Sequence, residues 1–185
     1  MARHKFHGDA NRFDVMAAFI YDNFGKSVHY IADVAGGQGM LSRILNKKYN
    51  YSAEVIDPRG YTLTGVGNRQ CYYHHDLAAF YDLIVGLHLD EAMREVALSA
   101  LTVPTVMVPC CNFWSDDKLG SKELVDEIER YLLRNGVLVE RHELPIKPPK
   151  NIALLTTPTA DSAGATGEFD EPVLQKLSHQ SSVSS

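Results

Sequence analysis

The sequence predicts an α/β fold: a doubly wound, mostly parallel seven-stranded sheet that finishes in a C-terminal antiparallel hairpin. Three observations predict it. Short apolar runs of strand character alternate with amphipathic runs of helix character along most of the chain. The first apolar run, IADVA (31–35), opens into the glycine-rich corner Gly36-Gly37-Gln38-Gly39 and then directly into a helical pattern. The last two apolar runs are joined only by PIKPPK, which is too short to hold a crossover helix, so they must pair antiparallel.

Taken in order, ANRFDVMAAFIYDNF (10–24) carries Phe13, Met16, Ala17, Ile20 and Phe24 at helical spacing, with Gly25 as its stop. HYIADVA (29–35) is a short buried strand, and MLSRILNKKY (40–49) a helix with Leu41, Ile44 and Leu45 on one side. SAEVIDP (52–58) is a strand closed by Pro58. RQCYYHHDL (69–77) is a weaker strand and YDLIVGLH (81–88) a clear one. DEAMREVALSAL (90–101) is helical with Asp90 placed to cap it, and TVMVPCC (105–111) is a strand that Pro109 terminates. SKELVDEIERYLLRNG (121–136) has a cap candidate in Ser121, an apolar stripe from Leu124 to Leu132, and Gly136 at the left-handed exit. VLVERHEL (137–144) and NIALLTTP (151–158) form the closing hairpin. The organisation expected is an N-terminal helical segment (1–28), a sheet domain (29–158) and a flexible Ser/Gly/Thr-rich tail (159–185).

The 185 residues suit one domain with a sizeable core. No stretch approaches the roughly 18 unbroken apolar residues of a membrane span. The polar N-terminus lacks the apolar segment of a secretory signal, and three cysteines, two of them adjacent, do not make a disulfide framework. These features point to the cytoplasm. The net charge of −5 is uneven: residues 1–50 hold seven Lys/Arg against four Asp/Glu, and residues 82–143 hold six against twelve. That excludes a broad basic nucleic-acid surface but leaves a local basic face from Arg3, Lys5, Arg12, Arg43, Lys47 and Lys48, with solvated helix faces as the plainer alternative.

Ligands of doubly wound sheets bind beyond the C-terminal strand ends, at the switch point. Four segments share that rim: Asp33–Gly39, Asp57–Pro58, His74–Leu77 and Gly86–Asp90, with Cys110–Trp114 beside them. Gly37-Gln-Gly39-Met-Leu-Ser42 comes close to the dinucleotide fingerprint, and Asp57 lies 18 residues past Gly39, where ribose hydroxyls need an acid. These features support an adenosine-containing ligand; a tight βα turn that uses glycine for structure alone is the alternative. A P-loop is excluded, because no Gly-Lys-Ser/Thr is present at the corner. Asp33 separates the corner from a nicotinamide site, since a carboxylate there repels a pyrophosphate but attracts an amino group and a sulfonium.

Asp33-Val-Ala35-Gly36-Gly37-Gln-Gly39 resembles the D-x-G-x-G-x-G motif of class I S-adenosylmethionine-dependent methyltransferases, with Ala35 in place of the first glycine. The resemblance covers about residues 29–158 and implies a Rossmann-like seven-stranded sheet with an antiparallel last strand. It implies S-adenosyl-L-methionine as cofactor, with Asp33, Ala35, Gly36, Gly37 and Gly39 forming the cradle. Asp57 and Pro58 would then lie at the ribose, and Asp76 and Leu77 at the adenine edge, with His88 nearby. The rim segments GLHLDEA (86–92) and VPCCNFW (108–114) are partly similar to a group that includes tRNA 2′-O-methyltransferases, with Leu89-Asp90 replacing the group's residue-Cys-Gly. That similarity implies RNA modification, tRNA favoured. A small-molecule or protein acceptor, or a non-catalytic cofactor-binding subunit, remains as the alternative. A partner subunit or a homodimer would supply grip on RNA that this charge does not.

His88, Asp90 and Asn112 are the candidate catalytic residues. An imidazole acts as a base or orients a hydroxyl near neutral pH; a structural histidine is the alternative. Phe113 and Trp114 either stack on a base or pack in the core. Cys110 and Cys111 invite a metal reading with His74, His75 and His88, but adjacent cysteines do not easily face one ion and no C-x-x-C spacing exists, so no metal is expected. Lys5, His7 and Arg12 either close over the cofactor's carboxylate or belong to an untethered N-terminal tail, the more frequent outcome for such a segment.

Overall fold

A computed structural model describes residue 9 and residues 11–169. Lys5 and His7 lie outside the described residues. Helix α1 (Arg12–Phe24) leads into β1 (Tyr30–Val34), α2 (Met40–Tyr49) and β2 (Ser52–Ile56). Then follow β3 (Gly67–Arg69), β4 (Leu83–Leu89), α3 (Met93–Ser99), β5 (Thr105–Pro109), α4 (Ser121–Arg134), β6 (Leu138–Glu143) and β7 (Ile152–Thr157). The seven strands form one sheet in the order β3-β2-β1-β4-β5-β7-β6. Strands β1 to β5 run parallel, and β7 inserts antiparallel between β5 and β6. This is the predicted α/β architecture with its closing hairpin. No helix among the described residues is long and apolar enough to cross a membrane.

Side-chain alternation along each strand feeds two cores. Ile31, Leu83, Val85 and Val106 lie under Met16 and Ile20 of α1 and Leu41 and Leu45 of α2. Ala32, Ile84, Met107 and Leu154 lie under Val96 of α3 and Val125, Ile128 and Leu132 of α4. Burial of each such large side chain contributes about 1.5–3 kcal/mol. The order reverses between β1 and β4, so both chains of connections diverge there and leave a crevice at the C-terminal strand ends.

Four local expectations are corrected. The predicted strand 69–77 is instead the three-residue β3 ending at Arg69, followed by a 3₁₀ turn over His75–Phe80. An edge strand this short and half-exposed needs no apolar alternation, so its sequence carries no period to read. Asp90 does not cap α3; the helix starts at Met93, and the Asp90 carbonyl takes the Met93 amide in a preceding turn. Ser121 does not cap α4, which follows Gly120 without a side-chain cap, whereas Gly136 does take the left-handed exit at φ +75°.

The fourth correction concerns the start of the supposed tail. Residues 159–169 pack on the body: Ser162 Oγ donates to the Leu101 carbonyl at 2.9 Å, and Tyr131 Oη to the Gly167 carbonyl at 2.9 Å. The Phe169 ring stacks on Tyr131 with centroids 4.7 Å apart and meets Trp114 edge-on at 5.3 Å. Residues 170–185 lie outside the described residues. Because Phe169 is half-buried in this aromatic stack, Phe169→Ala is expected to lower unfolding stability by about 1–2 kcal/mol. Urea denaturation checks it; an unchanged midpoint would show that the segment contributes nothing.

Candidate functional site

The corner between β1 and α2 is shaped by one buried carboxylate. Asp33 points from β1 towards α2, where its Oδ2 accepts from the Ser42 hydroxyl at 2.9 Å and the Ser42 amide at 3.2 Å. A Cβ on Gly36 would lie 2.6 Å from that carboxyl, so only glycine fits there. Gly39, at φ +75°, starts α2 and packs so closely that a Cβ would sit 2.8 Å from both Val55 and Val66. The sequence placed Asp33 facing a ligand; the structure corrects this, turning it inward as a brace. Its face of β1 is the one covered by α2, which decides its direction. Burial pushes the Asp33 carboxyl up to about 6, against the Ser42 hydrogen bonds that lower it, with the Asp57 charge raising it further.

A cavity of about 460 Å³ opens at the switch point. Ala35, Asp57, Pro58, Tyr72, Tyr73 and Phe113 are among its walls. Ala35 stands at φ +54°, a left-handed conformation costly for a residue with a Cβ, which its amide secures by donating to the Ile56 carbonyl at 2.9 Å. Gly37 turns its amide away from the corner to donate to Asp57 Oδ2 at 3.0 Å. Arg59 completes the set: its Nη2 reaches Oδ2 at 2.6 Å, while its Nε and amide both reach Oδ1 at 2.9 Å. Each Asp57 oxygen thus accepts two bonds, which fills its capacity. Burial alone raises the Asp57 carboxyl, but the Arg59 hydrogen bonds and charge, together with the Gly37 amide, hold it below the usual carboxylate range. The Arg59 side chain is itself largely exposed. Arg59 was not among the site residues expected from the sequence. Its only signal was its place two residues after Asp57.

The other predicted site residues divide. Pro58 and Asp90 line the cavity. Asp76 does not: its side chain is 81% exposed and pairs with His74 Nδ1 at 3.1 Å, and Leu77 packs against the core. Tyr72 and Tyr73, which follow the end of β3 at Arg69, line the cavity instead. Asn112 is corrected as a catalytic candidate. Its Nδ2 donates to the Asp117 carbonyl and its Oδ1 accepts the Trp114 and Ser115 amides at 3.2 Å, so its amide group braces the loop. Trp114 is buried core, whereas Phe113 is partly exposed on the cavity wall.

His88 sits on the rim but outside the cavity wall. It takes φ +63° where the β4–β5 register slips between Leu87 and Leu89, opposite Pro109, which has no amide for the ladder. The bulge swings Leu89 over Gly86, where a Cβ would be 2.4 Å from it. Burial, then the charges of Arg12 and Lys150, push the His88 imidazole down, against the opposing effect of the Lys150 carbonyl bond and of Asp90. The neutral ring then carries its proton on Nε2, which donates to the Lys150 carbonyl at 3.2 Å. Arg12 is thereby placed near His88, with its own Nη1 donating to the Asp9 carbonyl at 2.9 Å.

The adjacent cysteines do face each other. Pro109 ends β5, so Cys110 and Cys111 escape strand alternation and their sulfurs lie 3.4 Å apart. Cys110 donates to the Leu89 carbonyl at 3.3 Å and lies 3.6 Å from Asp90 Oδ1, while Lys150 Nζ is 3.9 Å from Cys111 Sγ. Adjacent cysteines were not expected to face one ion easily, yet here the two sulfurs converge.

No family model matches this sequence, and no curated protein does. Solved structures do share its architecture. One is a ribosomal protein L11 methylase from Lactobacillus delbrueckii subsp. bulgaricus, 16% identical, with a TM-score of 0.56 over 83% of this chain and 81% of that one. The chain has a Rossmann-like methyltransferase fold. Streptomyces venezuelae DesVI is 13% identical, with a TM-score of 0.52 over 81% of this chain and 92% of its own. At such identities the likeness is one of fold.

The Asp33 brace has a measurable signature. Its folded pKa stands above its unfolded value of about 3.8, so the folded state binds the extra proton, and ionising Asp33 costs stability as pH rises from 4 through 6. Relative to wild type, Asp33→Asn should therefore gain roughly 2–3 kcal/mol in unfolding free energy between pH 4 and pH 7. Paired urea melts across that range check it; a constant offset would place the Asp33 carboxyl in water.

Proposed function

We propose that this protein is an S-adenosylmethionine-dependent methyltransferase with an RNA acceptor, tRNA favoured. The observation that carries the reading is the buried Asp57 carboxylate on the wall of a 460 Å³ cavity, beside a glycine corner that only glycines fit. That volume falls within the range of small-molecule and cofactor sites. The residues present fit the cofactor. Asp57 would hold the ribose hydroxyls once Arg59 has swung off it, Tyr72 and Tyr73 would flank the adenine, and the Ala35–Gly37 backbone would face the methionine end. When bound, the cofactor supplies an electrophilic methyl on a sulfonium; the protein's task is alignment, with a base where the acceptor loses a proton.

His88 is the candidate base. Its lowered pKa keeps it neutral near pH 7, and its Nε2 bond to Lys150 fixes the ring. Asp90 borders the same cavity and is placed to orient an acceptor. RNA is favoured by the rim segments noted above and by Phe113, whose exposed ring offers a base a stacking platform at the cavity wall. A protein or small-molecule acceptor is the second reading. The sparse positive charge favours it, and so does the relative named as a ribosomal protein methylase.

Calorimetry with S-adenosylhomocysteine tests the cofactor site. Wild type should bind, Asp57→Ala should lose at least about tenfold in affinity, the worth of a hydrogen bond or more to a charged group, and Arg59→Ala should bind several-fold more tightly. Binding of NAD instead, or weaker binding by Arg59→Ala, would overturn the assignment. Transfer of a labelled methyl to fractionated RNA, protein and metabolites tests the acceptor. Label in RNA alone is the expected result; label elsewhere selects the second reading, and cofactor binding without transfer makes the chain a non-catalytic subunit. His88→Asn tolerates the left-handed backbone but takes no proton at pH 7. It should spare cofactor affinity and slow turnover, and full turnover would make His88 structural.

A further inference from the structure

We propose that Asp90, Cys110 and Cys111 form a site for a soft divalent cation of the zinc type, with an open fourth position at the cavity. The three donor atoms lie within 4.8 Å of one another, and two of them belong to adjacent residues freed from the strand by Pro109. A tetrahedral zinc with Zn–S of about 2.3 Å and Zn–O of about 2.0 Å sets its sulfurs about 3.8 Å apart and sulfur and oxygen about 3.5 Å apart. The structure has 3.4 Å between the sulfurs and 3.6 Å from Cys110 Sγ to Asp90 Oδ1. Small side-chain adjustments suffice to centre an ion. Two thiolates and one carboxylate balance a dication to a net charge of −1 and favour soft or borderline ions over magnesium or calcium.

Cys111 and Asp90 both line the cavity, so three protein ligands would leave the remaining position towards the cavity, the pattern of an open rather than a closed zinc site. Lys150 Nζ, 3.9 Å from Cys111 Sγ, supplies the positive charge beside the thiol that an arriving ion would replace. Binding converts two thiols to thiolates, so two protons leave per ion and no electron moves. The site stands on these three side chains alone and is independent of the cofactor reading.

The other group of this kind among the described residues, His74, His75 and Asp76, is a poorer competitor. Glu95 Oε2 already takes His75 Nδ1 at 2.8 Å, and Asp76 is turned to solvent. The test uses the full chain, reduced and stripped with a chelator. Titration with zinc in buffers of different ionisation enthalpy should show one ion per chain and release of about two protons. Cadmium in its place should give a thiolate-to-metal charge-transfer band. Cys110→Ser and Cys111→Ser should each lower affinity at least about tenfold and remove the band, and Asp90→Asn should weaken binding with the band retained. Cys71→Ser should change nothing. Because Asp90 is exposed, its variant stays informative even where a serine variant misfolds. Absence of stoichiometric binding, absence of the band, or loss of binding through His74→Ala and His75→Ala in place of the cysteine changes would overturn the site.

Discussion

The buried Asp33 carboxyl, held by the Ser42 hydroxyl and amide, is the constraint on which the site depends. It occupies the space where a side chain at position 36 would go and ties the first turn of α2 to the end of β1. That tight corner is what lets the Gly37 amide face outward, 3.0 Å from Asp57 Oδ2. An acid at full burial costs stability when charged, as its raised pKa states. The protein keeps it because Ser42 and the α2 amide end offer donors there that an apolar residue would leave unpaired.

Two acids therefore divide the work. Asp33 shapes the corner and is hidden from the cavity. Asp57 lies at the cavity wall and is kept ionised by Arg59, the amide of Gly37 and the amide of Arg59 itself. Arg59 is both the partner that stabilises the charge and, in the proposed complex, the group that a ribose would have to displace. Arg59 is exposed but Asp57 is buried, so displacement requires that the ribose hydroxyls replace the hydrogen bonds Arg59 gives up. The rim opposite is built by the bulge at His88 and the end of β5 at Pro109, which together bring Asp90, Cys110 and Cys111 to one place.

Much of this was legible in the sequence. The strand–glycine–helix corner, the helix over Leu124–Leu132 and the hairpin forced by PIKPPK all depend on local period and chain length, which sequence carries directly. What was not legible depends on partners distant in the chain. Asp33 faces inward because α2 covers its side of β1. Asn112 is consumed by amides of its own loop, which only the loop's path decides. The edge strand β3 has three residues and no pattern, so Asp76 and Leu77 were expected at the cavity, where Tyr72 and Tyr73 lie instead. The Cys110–Cys111 pair converges because a proline ends the ladder one residue earlier, a geometric effect that spacing rules for metal sites do not include.

The central claim is that the cavity above the glycine corner is a methyl-donor site read by Asp57. A crystal structure of the protein with S-adenosylhomocysteine tests it most directly. Expected are ribose hydroxyls on the Asp57 carboxylate, Arg59 swung out to solvent, and adenine beside Tyr72 and Tyr73, with Asp33 still on Ser42. A ligand seated elsewhere, or an Arg59–Asp57 pair left intact beneath a bound ribose, would contradict it.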